Sequence, residues 1–277
     1  MRNIWKYILI LPGLAGLLLF MVIPLTGTIA STFWENGRFT VNGYLEYMQD
    51  PYFLNILWVT LRTSLITTLV CSILGFPTAY FISKTQPRVK MLLLLLSIFP
   101  LLTSPVVRSF SWMVILGESG LLNNLLTFLG IAGPLDLLYT QSAVTIGLIH
   151  LFLPLSIITL VGVMDNISED VTQAAESLGA RRSTIFWQIL LPLSIPGLLT
   201  GSILVFVGSF TAYTTPALLG GRERVISTFL YQNAMTLNDW QLASIVATIM
   251  IVVSFTVIGL MNWAADKIAV KGGKLSG

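Results

Sequence analysis

Charge is scarce in this chain. Asp, Glu, Lys and Arg make up 10% of its 277 residues and apolar residues 55%, where a soluble domain carries about 25% charged residues. So little charge cannot cover a hydrated surface, which excludes an ordinary soluble domain and leaves a membrane as the surrounding medium. There is one cysteine, Cys71, so no disulfide can form within the chain and cysteine usage says nothing about compartment. The single histidine, His150, makes no metal-ligand cluster with Cys71. It lies in the middle of an apolar run, which excludes a credible Ser-His-Asp set. No catalytic residue and no metal ligand is therefore expected. The pattern G-x-x-x-x-G-K-S/T is absent, so no P-loop cradles a nucleotide phosphate.

What is present is long apolar runs. A span needs roughly 20 mostly apolar residues to cross the hydrocarbon, and six segments qualify: Tyr7–Phe33, Ile56–Ser83, Met91–Leu116, Ser142–Met164, Leu193–Leu219 and Leu242–Ala264. Their length and continuity predict helices rather than the short alternating strands of a barrel. The first run is too long for a signal-peptide core and lacks a small-residue cleavage site, so it is expected to be a retained span. The fold class is thus all-α, a polytopic membrane protein with six transmembrane helices. None of the twelve acids falls inside a predicted span.

The basic residues set the orientation. With the N-terminus on the cytoplasmic side, Arg2, Lys6, Lys84, Arg88, Lys90, Arg181, Arg182, Lys267, Lys271 and Lys274 face the cytoplasm. Arg38, Arg222 and Arg224 face the other side. The positive-inside rule then places both termini, and the loop 165–191, in the cytoplasm. This distribution also accounts for the net charge of +3 without nucleic acid as a partner.

The loop 165–191 is polar and helical between two spans. Ser168 fits an N-cap, with Glu169 and Asp170 in the first turn, where the helix dipole favours acids. Val171, Ala174, Ala175 and Leu178 recur at i, i+3, i+4, i+7 and share one face. Gly179 fits the position after the helix end, where a positive φ is needed. Ser183 fits the cap of a second short helix through Ile185, Phe186, Ile189 and Leu190, and Pro192 marks the entry to the next span. Periodicity alone leaves two readings open: a plain connecting helix, or a small-residue face that receives another protein.

The stretch QAAESLGA (Gln173–Ala180), followed by an apolar helix, Leu191-Pro192 and Pro196-Gly197, resembles the EAA loop. That loop marks the permease subunits of binding-protein-dependent ABC importers. The resemblance implies a single transmembrane domain over 1–277, with the loop 165–191 as coupling helices that seat on a cytoplasmic ATPase. Gln173, Ala174, Ala175, Leu178, Gly179 and Ala180 would carry that contact, with Gln173 standing where the family usually has Glu. Thr60–Ser83, Phe99–Leu126, Pro216–Gly221 and Asp239-Trp240 are similar to the spermidine/putrescine-type branch, while branches for iron, phosphonate or opine-type solutes share parts of these patterns. Implied, too, are alternating access, a bacterial inner membrane, a second permease subunit as a distinct chain, two ATPase subunits that bind the ATP, and an extracytoplasmic solute-binding protein. This chain itself would hold no cofactor. The rival class, a secondary transporter without an ATPase, would ordinarily show acids within its spans.

Candidates for the solute pathway are Arg108, Trp112, Phe210 and Tyr213. An intramembrane charge is a functional hypothesis by default, but Arg108 equally suits backbone carbonyls at a helix break near Pro105. Trp112, Phe210 and Tyr213 offer aromatic faces to a cation. Arg62 is expected to snorkel to the interface, and His150 to be neutral and bonded to a carbonyl. Ser194, Gly197, Gly201, Gly208 and Ala212 share one face of the fifth span, suited to packing within the chain or to a joint with a second permease.

Overall fold

The computed structural model describes residues 4–35, 38–131, 135–222 and 224–273. Arg2 and Lys274, two of the charges used for orientation, lie outside the described residues. In chain order, α1 (Ile4–Leu17) passes through a wide turn at Leu18–Val22 into α2 (Ile23–Ser31). A small hairpin of β1 (Trp34–Glu35) and β2 (Arg38–Phe39) follows, then α3 (Asn42–Gln49), α4 (Pro51–Ser83), α5 (Pro87–Leu102), α6 (Pro105–Leu116), α7 (Leu121–Phe128) and α8 (Gln141–Met164). The second half holds α9 (Glu169–Ser177), α10 (Arg182–Ile185), α11 (Leu191–Leu193), α12 (Ile195–Thr211), α13 (Thr214–Leu219), α14 (Ile226–Tyr231) and α15 (Trp240–Gly273). The all-α expectation holds, with the two-residue strands of the hairpin as its one departure among the described residues.

Five of the described helical stretches are long and apolar enough to cross a membrane: Leu11–Ser31, Pro51–Ser83, Gln141–Met164, Arg182–Thr211 and Trp240–Lys267. The third predicted span is not continuous. Its residues divide between α5 and α6, and a bend of 94° separates Pro87–Leu102 from Pro105–Phe128. Thr103 and Ser104 are extended, with ψ of 146° and 132°, because the ring of Pro105 disfavours helical backbone in the residue before it. The fifth predicted span also needs correction. It begins at Arg182, since α10 continues through a wide turn at Phe186–Leu190 and a tighter turn at Ser194 into α12, and it ends at Thr211 rather than Leu219.

The contacts divide the chain into two compact units. One comprises Met1–Asn55 and Phe229–Val253. Asp50 ends α3 and caps α4, accepting from the backbone N–H of Tyr52 and Phe53 while Pro51 takes the first helical position, where no N–H is needed. Phe53 packs on Tyr47 and Phe229, and the tip of the Ile245 side chain lies against Gly43, so a Cβ there would require that tip to shift.

The other unit comprises Ile56–Thr228 and Ser254–Gly277. In it α8 packs against α5, α6, α12 and α13. One buried cluster joins Phe76, Ala79 and Ile82 of α4 to Ile157, Leu160, Val161 and Met164 of α8, with Leu93 and Leu94 of α5 against it. A second joins Leu116 of α6, Ala143, Val144 and Leu148 of α8, and Leu219 of α13. The small-residue face of α12 is filled from within the chain: Gly197 meets Val163, Gly201 meets Thr159 and Gly208 meets Phe152. The reading of that face as a joint with a second permease is therefore corrected to internal packing, where glycines let α8 and α12 approach closely.

Candidate functional site

The loop after α8 is built from local signals. Ser168 caps α9, its Oγ accepting from the N–H of Asp170 at 3.2 Å. At the other end Gly179 has φ +82°. The N–H of Gly179 reaches the carbonyl of Glu176 at 2.9 Å and that of Ala180 reaches Ala175 at 3.0 Å. These two bonds close the helix end as a left-handed glycine turn. The expected second cap is corrected: α10 starts at Arg182 after an extended Arg181, so Ser183 sits inside the first turn and caps nothing. Beyond it Phe186 is wedged between Phe76 and Tyr80 of α4, with ring centroids 5.2 and 5.5 Å away.

Most of the apolar face of α9 is left uncovered by the described residues. Leu178 is 89% exposed, Gln173, Ala174 and Gly179 are exposed, and Ala175 and Ala180 are half-buried. Gln173 also borders a cleft of about 260 Å³ with Tyr80, Lys84, Glu176 and Arg182 on its walls. The six loop residues singled out from the sequence thus fall on one short helix and its terminal turn.

The pathway candidates separate. Arg108 is 5% exposed, and its Nη1 donates across the α5–α6 bend to the carbonyl of Pro100, which also accepts from the Thr103 hydroxyl at 2.8 Å. Because α5 ends at Leu102, that carbonyl has lost its helical partner, and a cation at a helix C-terminus is favoured by the dipole. The Nε of Arg108 is buried without a partner. One turn on, Trp112 donates its indole N–H to Nδ1 of His150 at 3.2 Å, edge to face. His150 is therefore bonded to an indole, not to a carbonyl as expected, and a neutral ring then carries its proton on Nε2. Phe210 is fully buried and stacks on Phe206, so in this conformation it presents no face to a solute. Tyr213 stands at the bend between α12 and α13 and is 37% exposed. The Ala212 carbonyl at that bend accepts from the Ser227 hydroxyl at 2.6 Å.

Sequence reasoning missed one grouping. Glu46 and Asp239 lie far apart in the chain but line one cavity of about 300 Å³ with Tyr47, Asn42 and Thr40. The Tyr47 hydroxyl is pushed above its ordinary pKa, first by burial and then by the negative charges of Glu46, Asp239 and Asp50. No local pattern announces such a meeting.

Comparison with known proteins places this geometry. Residues 71–270 match the family described as binding-protein-dependent transport system inner membrane component. The chain is 28% identical to the spermidine/putrescine transport system permease protein PotB of Salmonella typhimurium, over 97% of this chain and 96% of that protein. It is also 28% identical to the molybdenum transport system permease protein ModB of Mycobacterium bovis, over 92% of each. Among solved structures it resembles the bacterial alginate ABC transporter in complex with its alginate pentasaccharide-bound periplasmic protein. The TM-score is 0.77, with 18% identity over 97% of this chain and 96% of that one.

Proposed function

The chain belongs to the family of binding-protein-dependent transport system inner membrane components, a multi-pass permease of an ABC importer, and from that premise we propose that its solute is a polyamine of the spermidine/putrescine type. The likeness to PotB along nearly the whole chain supports this solute. In this reading a periplasmic binding protein delivers the polyamine, a second and distinct permease completes the pathway, and two cytoplasmic ATPase subunits bind and hydrolyse the ATP. Gln173, Ala174, Ala175, Leu178, Gly179 and Ala180 seat on the ATPase, whose closure moves the spans between outward- and inward-facing states. The observation that carries the coupling role is the uncovered face of α9, with Leu178 89% exposed beside a built glycine turn. Val171 and Ala174 are exposed on the same face, and an apolar patch rimmed by polar residues supports a contact surface.

A second reading, an anionic solute, is favoured by one observation: the charge buried among the described spans is Arg108, a cation. One experiment addresses both. The importer is purified with its ATPase and binding protein, as wild type and as Gly179→Val. A Cβ at 179 meets nothing within 4 Å, while the left-handed backbone costs an L-residue about 1–2 kcal/mol and disfavours a β-branched one further. Wild type is expected to retain the ATPase and to hydrolyse ATP faster with spermidine or putrescine on the binding protein. The variant is expected to fold but to lose most of the ATPase. Stimulation by molybdate alone would keep the importer and exchange the solute, and equal ATPase retention by the variant would remove the coupling role from this turn.

A further inference from the structure

Two charges stand where their own helices disfavour them. Lys90 lies at the start of α5, and Asp165 is the C-terminal cap of α8. A helix N-terminus disfavours a cation and a C-terminus an anion. The two are paired with each other: Lys90 Nζ lies 2.5 Å from Asp165 Oδ2, the side chains 23% and 37% exposed. A cytoplasmic preference for basic residues explains a lysine near this end of a span, but it does not explain an aspartate on the last turn of α8.

Both partners sit at mechanically informative places. Only Asn166, Ile167 and Ser168 separate Asp165 from α9. That link is pinned, with the Asn166 carboxamide on the Gly162 carbonyl at 2.8 Å, the Ile167 N–H on Met164 at 3.1 Å and Ser168 capping α9. Lys90 opens an unbroken helix that packs on α8 through Leu93 and Leu94 and ends at the bend held by Arg108. Helix α5 is thus gripped by a basic side chain at each end, at the root of the loop and at the bend.

We propose that the Lys90–Asp165 ion pair is a positioning contact that passes movement of α9 to α5 and so to the bend at Leu102–Pro105. This rests on the reading of α9 as the ATPase contact. A partly exposed ion pair adds little to stability, so the pair's effect belongs in coupling, not in folding.

The test uses the full importer with its ATPase in proteoliposomes. A spin label is placed at Leu96→Cys, a position on α5 that is 62% exposed, and its spectrum is compared with and without ATP and vanadate. The wild-type pair is expected to give a nucleotide-dependent change. Lys90→Asp and Asp165→Lys are each expected to keep the ATPase yet reduce that change by about 5-fold or more. Combining them re-forms the pair with reversed sign and is expected to restore it. The neutral combination Lys90→Gln with Asp165→Asn separates coupling from structure. It removes both unfavourable charge–dipole contacts, so a structural role predicts wild-type behaviour, while the proposal predicts lost coupling in an assembled complex. If either single reversal fails to assemble, the neutral combination decides. A nucleotide response that survives in the neutral combination, or is absent in the wild type with ATPase bound, overturns the proposal. A wild type that never retains an ATPase fails earlier, at the importer function itself, and takes the proposal with it.

Discussion

At Asn123 one carboxamide holds the loop after α6 together. It is buried, donates to the carbonyls of Gly117 and Leu135 at 3.0 and 2.9 Å, and accepts from the N–H of Leu135 at 2.8 Å. Asn123→Ala takes the side-chain partner from the Leu135 N–H and one of two donors from each carbonyl, which keep the N–H groups of Gly120 and Leu137, at a cost of about 1 kcal/mol or more. Lower thermal stability of the purified protein, with ATPase binding intact, is the expected outcome. Asn123→Asp should do at least as much harm, because an oxygen would then face two carbonyls. Phe210 and Tyr213 make a second contrast, three residues apart. Phe210→Ala opens a cavity beside Phe206 and is expected to destabilise by about 3–5 kcal/mol. Tyr213→Ala removes a partly exposed ring and is expected to slow polyamine uptake in an importer that still assembles. Uptake equal to wild type in an assembled Tyr213→Ala importer would take this residue out of the pathway. The sequence offered both as aromatic faces with no way to rank them, since burial depends on which helix lies opposite.

At the level of the element, what could be read from the chain depended on how local the cause was. The cap at Ser168 and the turn at Gly179 arise within a few residues, so spacing alone placed them. The run through α5 and α6 counts as one span, because apolar length dominates that reading and proline is tolerated in membrane helices, although a helix break near Pro105, with Arg108 on its carbonyls, is one of the two readings of Arg108. Pro77 and Pro154 indeed lie inside unbroken α4 and α8. What differs at Pro105 is its surroundings: Thr103 and Ser104 precede it in extended form, and Arg108 and the Thr103 hydroxyl supply the donors that the freed Pro100 carbonyl needs. The bend therefore exists where its carbonyl can be satisfied. Arg108→Ala is expected to leave that carbonyl with the Thr103 hydroxyl alone and to lower thermal stability. Arg108→Lys should recover only part of the loss, because its ammonium can donate to the Pro100 carbonyl but sits on a shorter side chain. A double variant with Thr103→Val should lose more than the sum of the single changes, since each side chain backs up the other at one oxygen. Strict additivity would show that the two do not share this task.

For the molecule as a whole, the bent pair raises a question of parity. If α5 through α7 cross the membrane once, the loop holding α9 lies on the same side as Lys84. If they dip in and return, α8 carries that loop to the opposite side. Hydropathy does not decide between the two, because a pair bent by 94° fits either. The ion pair does. Lys90 precedes the apolar part of α5, Asp165 follows α8, and the two are in direct contact, so both lie on one face of the membrane. The chain between them must cross an even number of times. Since α8 crosses once, α5 through α7 must cross once as well, and the five long helices and the bent pair make six spans. The basic residues Lys84, Arg88, Arg181 and Arg182 then share one side, and the positive-inside rule predicts that this side is the cytoplasm. Reporter insertions test this directly. A fluorescent protein that matures only in the cytoplasm is expected to light up when inserted after Gly179. A periplasm-dependent phosphatase is expected to be active after Gly130, just beyond α7. Phosphatase activity at Gly179, with fluorescence both at Gly130 and at a third insertion after Thr85, would make α5–α7 a re-entrant loop, and would place the α9 surface where no cytoplasmic ATPase could reach it.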